Sequence, residues 1–228
     1  IDWQVAGAPD AENRKLAAKK AVTLSRKTAP RAATMPGDVE LVASPPSLNP
    51  AGMRAAGDAL VEILDRAKSK IRVQLLYYAP FNKYAPKERT PYWPRLDNAL
   101  RSAQARGVKV ELLVSHWNLR QPDYFHLKSL AVLPGVDVRI ATIPESKRLG
   151  DVPYSRVAHS KYMTVDDRLL WIGTSNWGED YFEESRNLEL ILKRPDLTAQ
   201  ANGIFDRLWG SPLTKSVLEH LPTEKKVH

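Results

Sequence analysis

His159, Lys161 and Asn176 are the residues of this chain whose types and spacing suit phosphate chemistry. The segment Ala158-His159-Ser160-Lys161-Tyr162-Met163-Thr164-Val165-Asp166 reads as part of a strand running from Val157 to Val165. Side chains on a strand alternate between faces, so His159 and Lys161 project together. An imidazole held beside an ammonium makes poor core. It makes a good phosphate site, with a nucleophile or acid next to a fixed positive charge. Asp166 has the opposite parity and falls at the strand end, which suits a turn or supporting role better than attack. Gly173-Thr174-Ser175-Asn176 follows the apolar run Leu169 to Ile172, which pairs back as a hairpin through Asp166-Asp167-Arg168. The hairpin returns Asn176 towards His159 and Lys161. Hydroxyls and an amide are neutral partners for phosphate oxygens.

These residues need a rigid frame, and the rest of the sequence supplies alternating strands and helices. Strands are expected at Val39–Val42, Ile71–Tyr78, Val108–Val114, Val136–Ile140 and Leu188–Leu192. Helices are expected from Asn49-Pro50, with Asn as cap and Pro at the first helical position, and from Thr90-Pro91. Two more are expected over Asp123–Leu133 and Pro195–Trp209. Long helical connections imply parallel pairing by crossover, while the late hairpin adds antiparallel pairing. The expected class is α/β: a mixed, mostly parallel sheet flanked by helices.

The chain has 228 residues and no cysteine, which excludes a disulfide scaffold, a cysteine nucleophile and thiolate metal sites. No other metal-ligand cluster stands out, and neither a metal nor a cofactor is expected. No apolar run approaches the roughly 20 residues that span a bilayer. The first residue is Ile1 rather than methionine, so a fragment or processed product is expected. Net charge is +8, and residues 1–37 carry seven basic against three acidic side chains. Such a balance suits a polyanionic partner or an anionic membrane surface, and equally mere solubility. Residues 1–37 are read as a basic tail and linker, with a surface helix over Ala11–Lys27. Residues 38–213 are read as the catalytic body and 214–228 as a C-terminal tail.

The pattern His159-x-Lys161-x4-Asp166-x6-Gly173-Thr174-Ser175-Asn176 resembles the HKD motif of the phospholipase D superfamily. The likeness runs from about Asp38 to Pro212. Leu75-Leu76-Tyr77-Tyr78-Ala79-Pro80, Pro153-Tyr154-Ser155-Arg156-Val157 and Asn176-Trp177 are similar to the second half of the two-motif animal endolysosomal 5′-exonuclease branch. The resemblance implies a metal-independent phosphodiesterase in which two motifs face each other, the partner motif coming from an N-terminal half or a homodimer mate. One histidine attacks phosphorus to form a phosphohistidine, and the other acts as general acid and base. By analogy His159 is the acid and base; in a symmetric dimer it takes either part. The resemblance also implies a catalytic set of His159, Lys161, Asp166 and Asn176, with Thr174, Ser175 and Trp177 near substrate. The superfamily's histidine-orienting glutamate falls at Asn187 here, leaving Glu184 as the candidate orienter and Glu189 nearby. Tyr154 and Arg156 are candidates for lining a mouth. The leading substrate is single-stranded nucleic acid. The alternatives are a phospholipase D or transphosphatidylase acting on lipid head groups, and a non-catalytic binding module where no second motif is supplied. Relatives in the branch are mostly extracytoplasmic, which sets the expected compartment.

Overall fold

Apolar residues at helical and strand spacing fold into a sheet with helices on both faces. A computed structural model describes residues 37–82, 92–145, 148 and 154–223, which belong to the second of two compact units, Met35–His228. In chain order the elements are β1 (Val39–Ser44), α1 (Ala56–Arg66), β2 (Lys70–Leu75), α2 (Arg95–Ala105), β3 (Lys109–Ser115) and α3 (Asp123–Ala131). They continue with β4 (Val136–Ala141), β5 (Tyr162–Val165), β6 (Leu169–Gly173), α4 (Glu179–Glu183), β7 (Asn187–Leu192), α5 (Pro195–Trp209) and β8 (Thr214–Ser216). The sheet order is β1-β7-β6-β5-β2-β3-β4-β8.

The class is as expected, a mixed sheet flanked by helices, but its parallel part is confined to β2–β3 and β3–β4. The remaining neighbours pair antiparallel. A helix between two strands did not guarantee a crossover here. The five residues of α4 are too few to return the chain to the same end of the sheet, so β7 runs antiparallel to β6.

Ala59, Leu60, Ile63 and Leu64 of α1 and Leu96, Ala99, Leu100 and Ala103 of α2 form a buried stripe at three- and four-residue spacing. They pack on one face of the sheet with Val73, Leu112 and Met163. Burying each large side chain contributes about 1.5–3 kcal/mol. Among the described residues, the helix that covers the opposite face is α5, through Ala201 and Phe205 against Tyr162 and Leu170.

Three expected boundaries move. The helix expected at Asn49-Pro50 starts instead at Ala56, because Gly52 sits at φ 84°, where a right-handed helix cannot continue. Asn49 donates its side-chain amide to Ala43 O at 2.9 Å rather than capping a helix. Residues 214–219 are not a tail. β8 pairs with β4, and Ser216 caps the turn Val217–Glu219, whose Val217 is buried. The strand expected from Val157 begins at Tyr162. The helix start at Thr90-Pro91, the helix over Ala11–Lys27 and residues 224–228 lie outside the described residues.

Candidate active site

The site forms at one end of the sheet. β2 and β3 end there, β5 begins there, and β6 finishes there, because β5 runs antiparallel to both β2 and β6. Side chains carried past the carboxyl ends of parallel strands meet in a crevice in this kind of sheet.

His159 precedes the strand rather than lying on it. The last ladder bond is Gly173 N to Lys161 O at 3.2 Å. The two side chains are nevertheless together: Lys161 Nζ donates to His159 O at 2.9 Å and stands 3.5 Å from His159 Nδ1. Burial and then the Lys161 charge hold the His159 pKa below that of a free histidine. Burial also lowers the Lys161 pKa. The imidazole is thereby favoured in its neutral form, as a nucleophile or base requires.

Asn176 reaches the site because residues 176–178 lie along the chain that leaves β2. Ala79 N donates to Trp177 O at 2.8 Å, and Trp177 N donates to Tyr77 O at 3.3 Å. The buried Asn176 side chain accepts from Tyr77 N at 3.0 Å and donates to the Tyr181 hydroxyl at 2.9 Å. Its Nδ2 carries a second proton beyond that bond. His159, Lys161, Thr174 and Asn176 line one cleft of about 360 Å³ together with Tyr77, Trp117, Arg120, Tyr154, Asp180 and Tyr181. Gly173 lines a neighbouring groove that also reaches His159 and Lys161, and a Cβ there would stand 2.7 Å from the Trp171 ring and 3.0 Å from Glu189 Cγ.

Other expected site residues fall elsewhere. Asp166 begins the β5–β6 turn, at the far end of the strand from Lys161, roughly 17 Å along extended chain. Asp166 and Asp167 take positive φ of 53° and 54°, as a tight hairpin turn requires. The Asp166 carboxylate accepts from the backbone N–H groups of Lys68, Ser69 and Lys70 and from the Ser69 hydroxyl. Burial alone would raise its pKa; the bonds from Lys70, Ser69 and Lys68 outweigh it and hold the carboxyl below its usual range. Trp177 is 1% exposed and packs against Tyr78 and Trp171, so it is core rather than substrate wall. Ser175 is fully buried. Thr174 is exposed at the cleft and donates to Asn187 Oδ1 at 2.9 Å. Glu184 is exposed and accepts from Asn82 at 2.8 Å, outside the set of residues that line the cleft. Arg156 donates to Pro144 O at 2.7 Å.

Asn187, at the position expected for the histidine-orienting glutamate, is instead a buried tie. It accepts from Thr174 and donates to Tyr181 O and Ser185 O. Glu189 is a buried carboxyl in this region, and it accepts from Trp171 Nε1 at 2.6 Å. Burial pushes it up to about 7, against the lowering influence of Ser175 and Trp171. Sequence reasoning also missed Tyr77, Arg120, Asp180 and Tyr181. Tyr77 and Arg120 come from two loops and Asp180 and Tyr181 from helix α4, and no local spacing ties them to His159. Among the described residues, no group of three or more His, Asp or Glu is placed to hold a metal ion, and no helix is long and apolar enough to cross a membrane.

The family model described as "Cardiolipin synthase, PLD-like domain" matches residues 60–209. Phospholipase D Z of Dictyostelium discoideum is 37% identical over 176 residues, covering 75% of this chain and 40% of the relative. The 5′-3′ exonuclease PLD3 of Homo sapiens is 37% identical over 183 residues, covering 75% and 37%. Nuc from Salmonella typhimurium, a phospholipase D family member of known structure, shares the fold at a TM-score of 0.58 and 18% identity, over 78% of this chain and 96% of that one. The chain belongs to the phospholipase D superfamily, as a PLD-like domain. It spans about 40% of the length of the curated relatives it matches.

Proposed function

We propose that this chain is one catalytic half of a metal-independent phosphodiesterase that cleaves single-stranded nucleic acid through a phosphohistidine. One observation carries the reading: His159, Lys161 and Asn176 line a single cleft, which Arg120 and the Trp117–Tyr154 pair also line. A cleft that carries Lys161 and Arg120 against the one acid Asp180, with the exposed Tyr154 ring beside the half-buried Trp117, fits an unpaired polynucleotide. In the first step, a neutral imidazole nitrogen bonds to phosphorus and the bond to the leaving oxygen breaks. The second histidine gives that oxygen its proton. It then takes a proton from water, and the hydroxide displaces the first imidazole by breaking the P–N bond. Lys161 and Asn176 hold non-bridging oxygens, and His159 is one of the two histidines.

The other histidine comes from a second half. Leu41, Leu190 and Ile172 are cross-strand neighbours on β1, β7 and β6, and Leu188 shares their face. With Ile204 of α5, 59% exposed, they leave an apolar surface open. It continues into a groove of about 600 Å³ beside His159, lined by Leu170, Ile172, Ala201 and Ile204. A chain spanning two fifths of its relatives' length and exposing such a face beside its histidine is suited to docking a second HKD half there.

That groove also favours a second reading, a phospholipid substrate whose acyl chains lie against Ile172 and Ile204. Rates on matched single-stranded DNA, RNA and phosphatidylcholine vesicles separate the two. The expected result is turnover of the nucleic acids, unaffected by EDTA and abolished in His159→Ala with the circular dichroism spectrum unchanged. Turnover of phosphatidylcholine alone overturns the nucleic-acid reading, and activity retained in His159→Ala overturns the site.

A further inference from the structure

Tyr154 stands out in the segment that leads into His159. It is 65% exposed, yet its backbone sits at φ 65°, a left-handed conformation that costs a bulky residue energy. Its ring meets the Trp117 ring edge-on, with centroids 5.0 Å apart. Trp117 rests in turn on the apolar cluster of Leu76, Tyr77, Ala79 and Phe81, so the pair has a firm base. Arg120 follows Trp117 by three residues and lines the same cleft, and its buried Nε has no hydrogen-bond partner. Strain at an exposed aromatic residue that nothing in the core needs points to a ligand.

We infer that Tyr154, braced by Trp117, is a stacking platform for the base next to the scissile phosphate, and that Arg120 takes a neighbouring phosphate of the same strand. The inference rests on the nucleic-acid reading and deepens it, because it names what the site recognises. Every base offers a π-face, so the platform accepts any sequence. A base must leave its helix to reach it, so duplexes are excluded. A guanidinium beside the platform adds a salt-dependent contact to each substrate alike.

The test is binding by fluorescence anisotropy of two labelled single-stranded oligonucleotides of equal length, one with bases and one with abasic residues throughout. The unmodified protein is expected to bind the base-bearing strand about tenfold more tightly. Tyr154→Ala should bind both strands alike, and Tyr154→Phe should restore the preference. Arg120→Met should weaken both strands to the same extent and flatten the salt dependence by about one unit of slope. Equal binding of both strands by the unmodified protein overturns the platform while leaving the nuclease reading standing. So does a preference that survives in Tyr154→Ala. Failure to bind either strand, with hydrolysis of phosphatidylcholine, overturns both.

Discussion

At the scale of single residues, burial first and then the Lys161 charge favour a neutral His159. The ammonium lies close to Nδ1 and is tied to the histidine's own carbonyl. It repels a proton from the ring in addition to the effect of burial. The neutral imidazole is therefore present at lower pH than in a free histidine. In an NMR titration the His159 midpoint should lie below about 6.5. In Lys161→Met it should rise, because a neighbouring positive charge has been removed. A midpoint that stays put or falls would show that the two groups do not interact. Asn176 depends on residues too, since Tyr77 and Tyr181 fix both ends of its amide.

At the scale of elements, the hairpin β5–β6 separates two jobs that the motif writes side by side. Its open end carries Lys161 and Thr174 to the cleft, and its closed end carries Asp166 away from it. Asp166 ties that closed end to the start of β2, through three backbone N–H groups and a hydroxyl. Asp166→Asn should therefore cost stability rather than turnover, about 1–2 kcal/mol at pH 7 for a half-buried carboxylate. The sign with pH follows from the lowered folded-state value. The contribution is present above the unfolded pKa near 4 and is lost as pH falls through the folded one. Urea unfolding at pH 7 and pH 3 measures the difference, which should shrink at the lower pH. A large loss of kcat with unchanged stability would instead return Asp166 to the chemistry.

At the scale of the whole molecule, the two faces of the sheet are unequally covered. Among the described residues, helices α1, α2 and α3 bury one face, and helix α5 leaves part of the other open. The open part adjoins the histidine, which is where a two-histidine mechanism needs its partner. Ile172→Asp combined with Leu190→Asp should lower the rate at least tenfold and shift the assembled species towards the single chain in sedimentation velocity. Both side chains are exposed, so the thermal midpoint should move little. An unchanged sedimentation profile and rate would remove this face as the docking surface. Lost binding to lipid vesicles with assembly intact would favour the phospholipid reading.

The sequence by itself determined β2, β3, α3, β4, β6, β7 and α5 within a few residues, since apolar period and turn chemistry are local; it carried no sign of α4 and started β5 five residues early. It also determined the coupling of His159, Lys161 and Asn176, because their separations are short and the Asp166-Asp167 turn closes the hairpin. Tertiary structure alone decided the antiparallel majority of the sheet, which depends on where β7 docks rather than on any stretch of chain. It alone sorted Trp177 and Ser175 into the core and Thr174 into the cleft, all from within the four residues 174–177. It alone brought Arg120 and Tyr181 to the histidine, whereas Tyr154 was legible from its place just before the motif. Arg120 and Tyr181 lie on other segments of the chain, and only the packing of strand ends against one another sets how close they come.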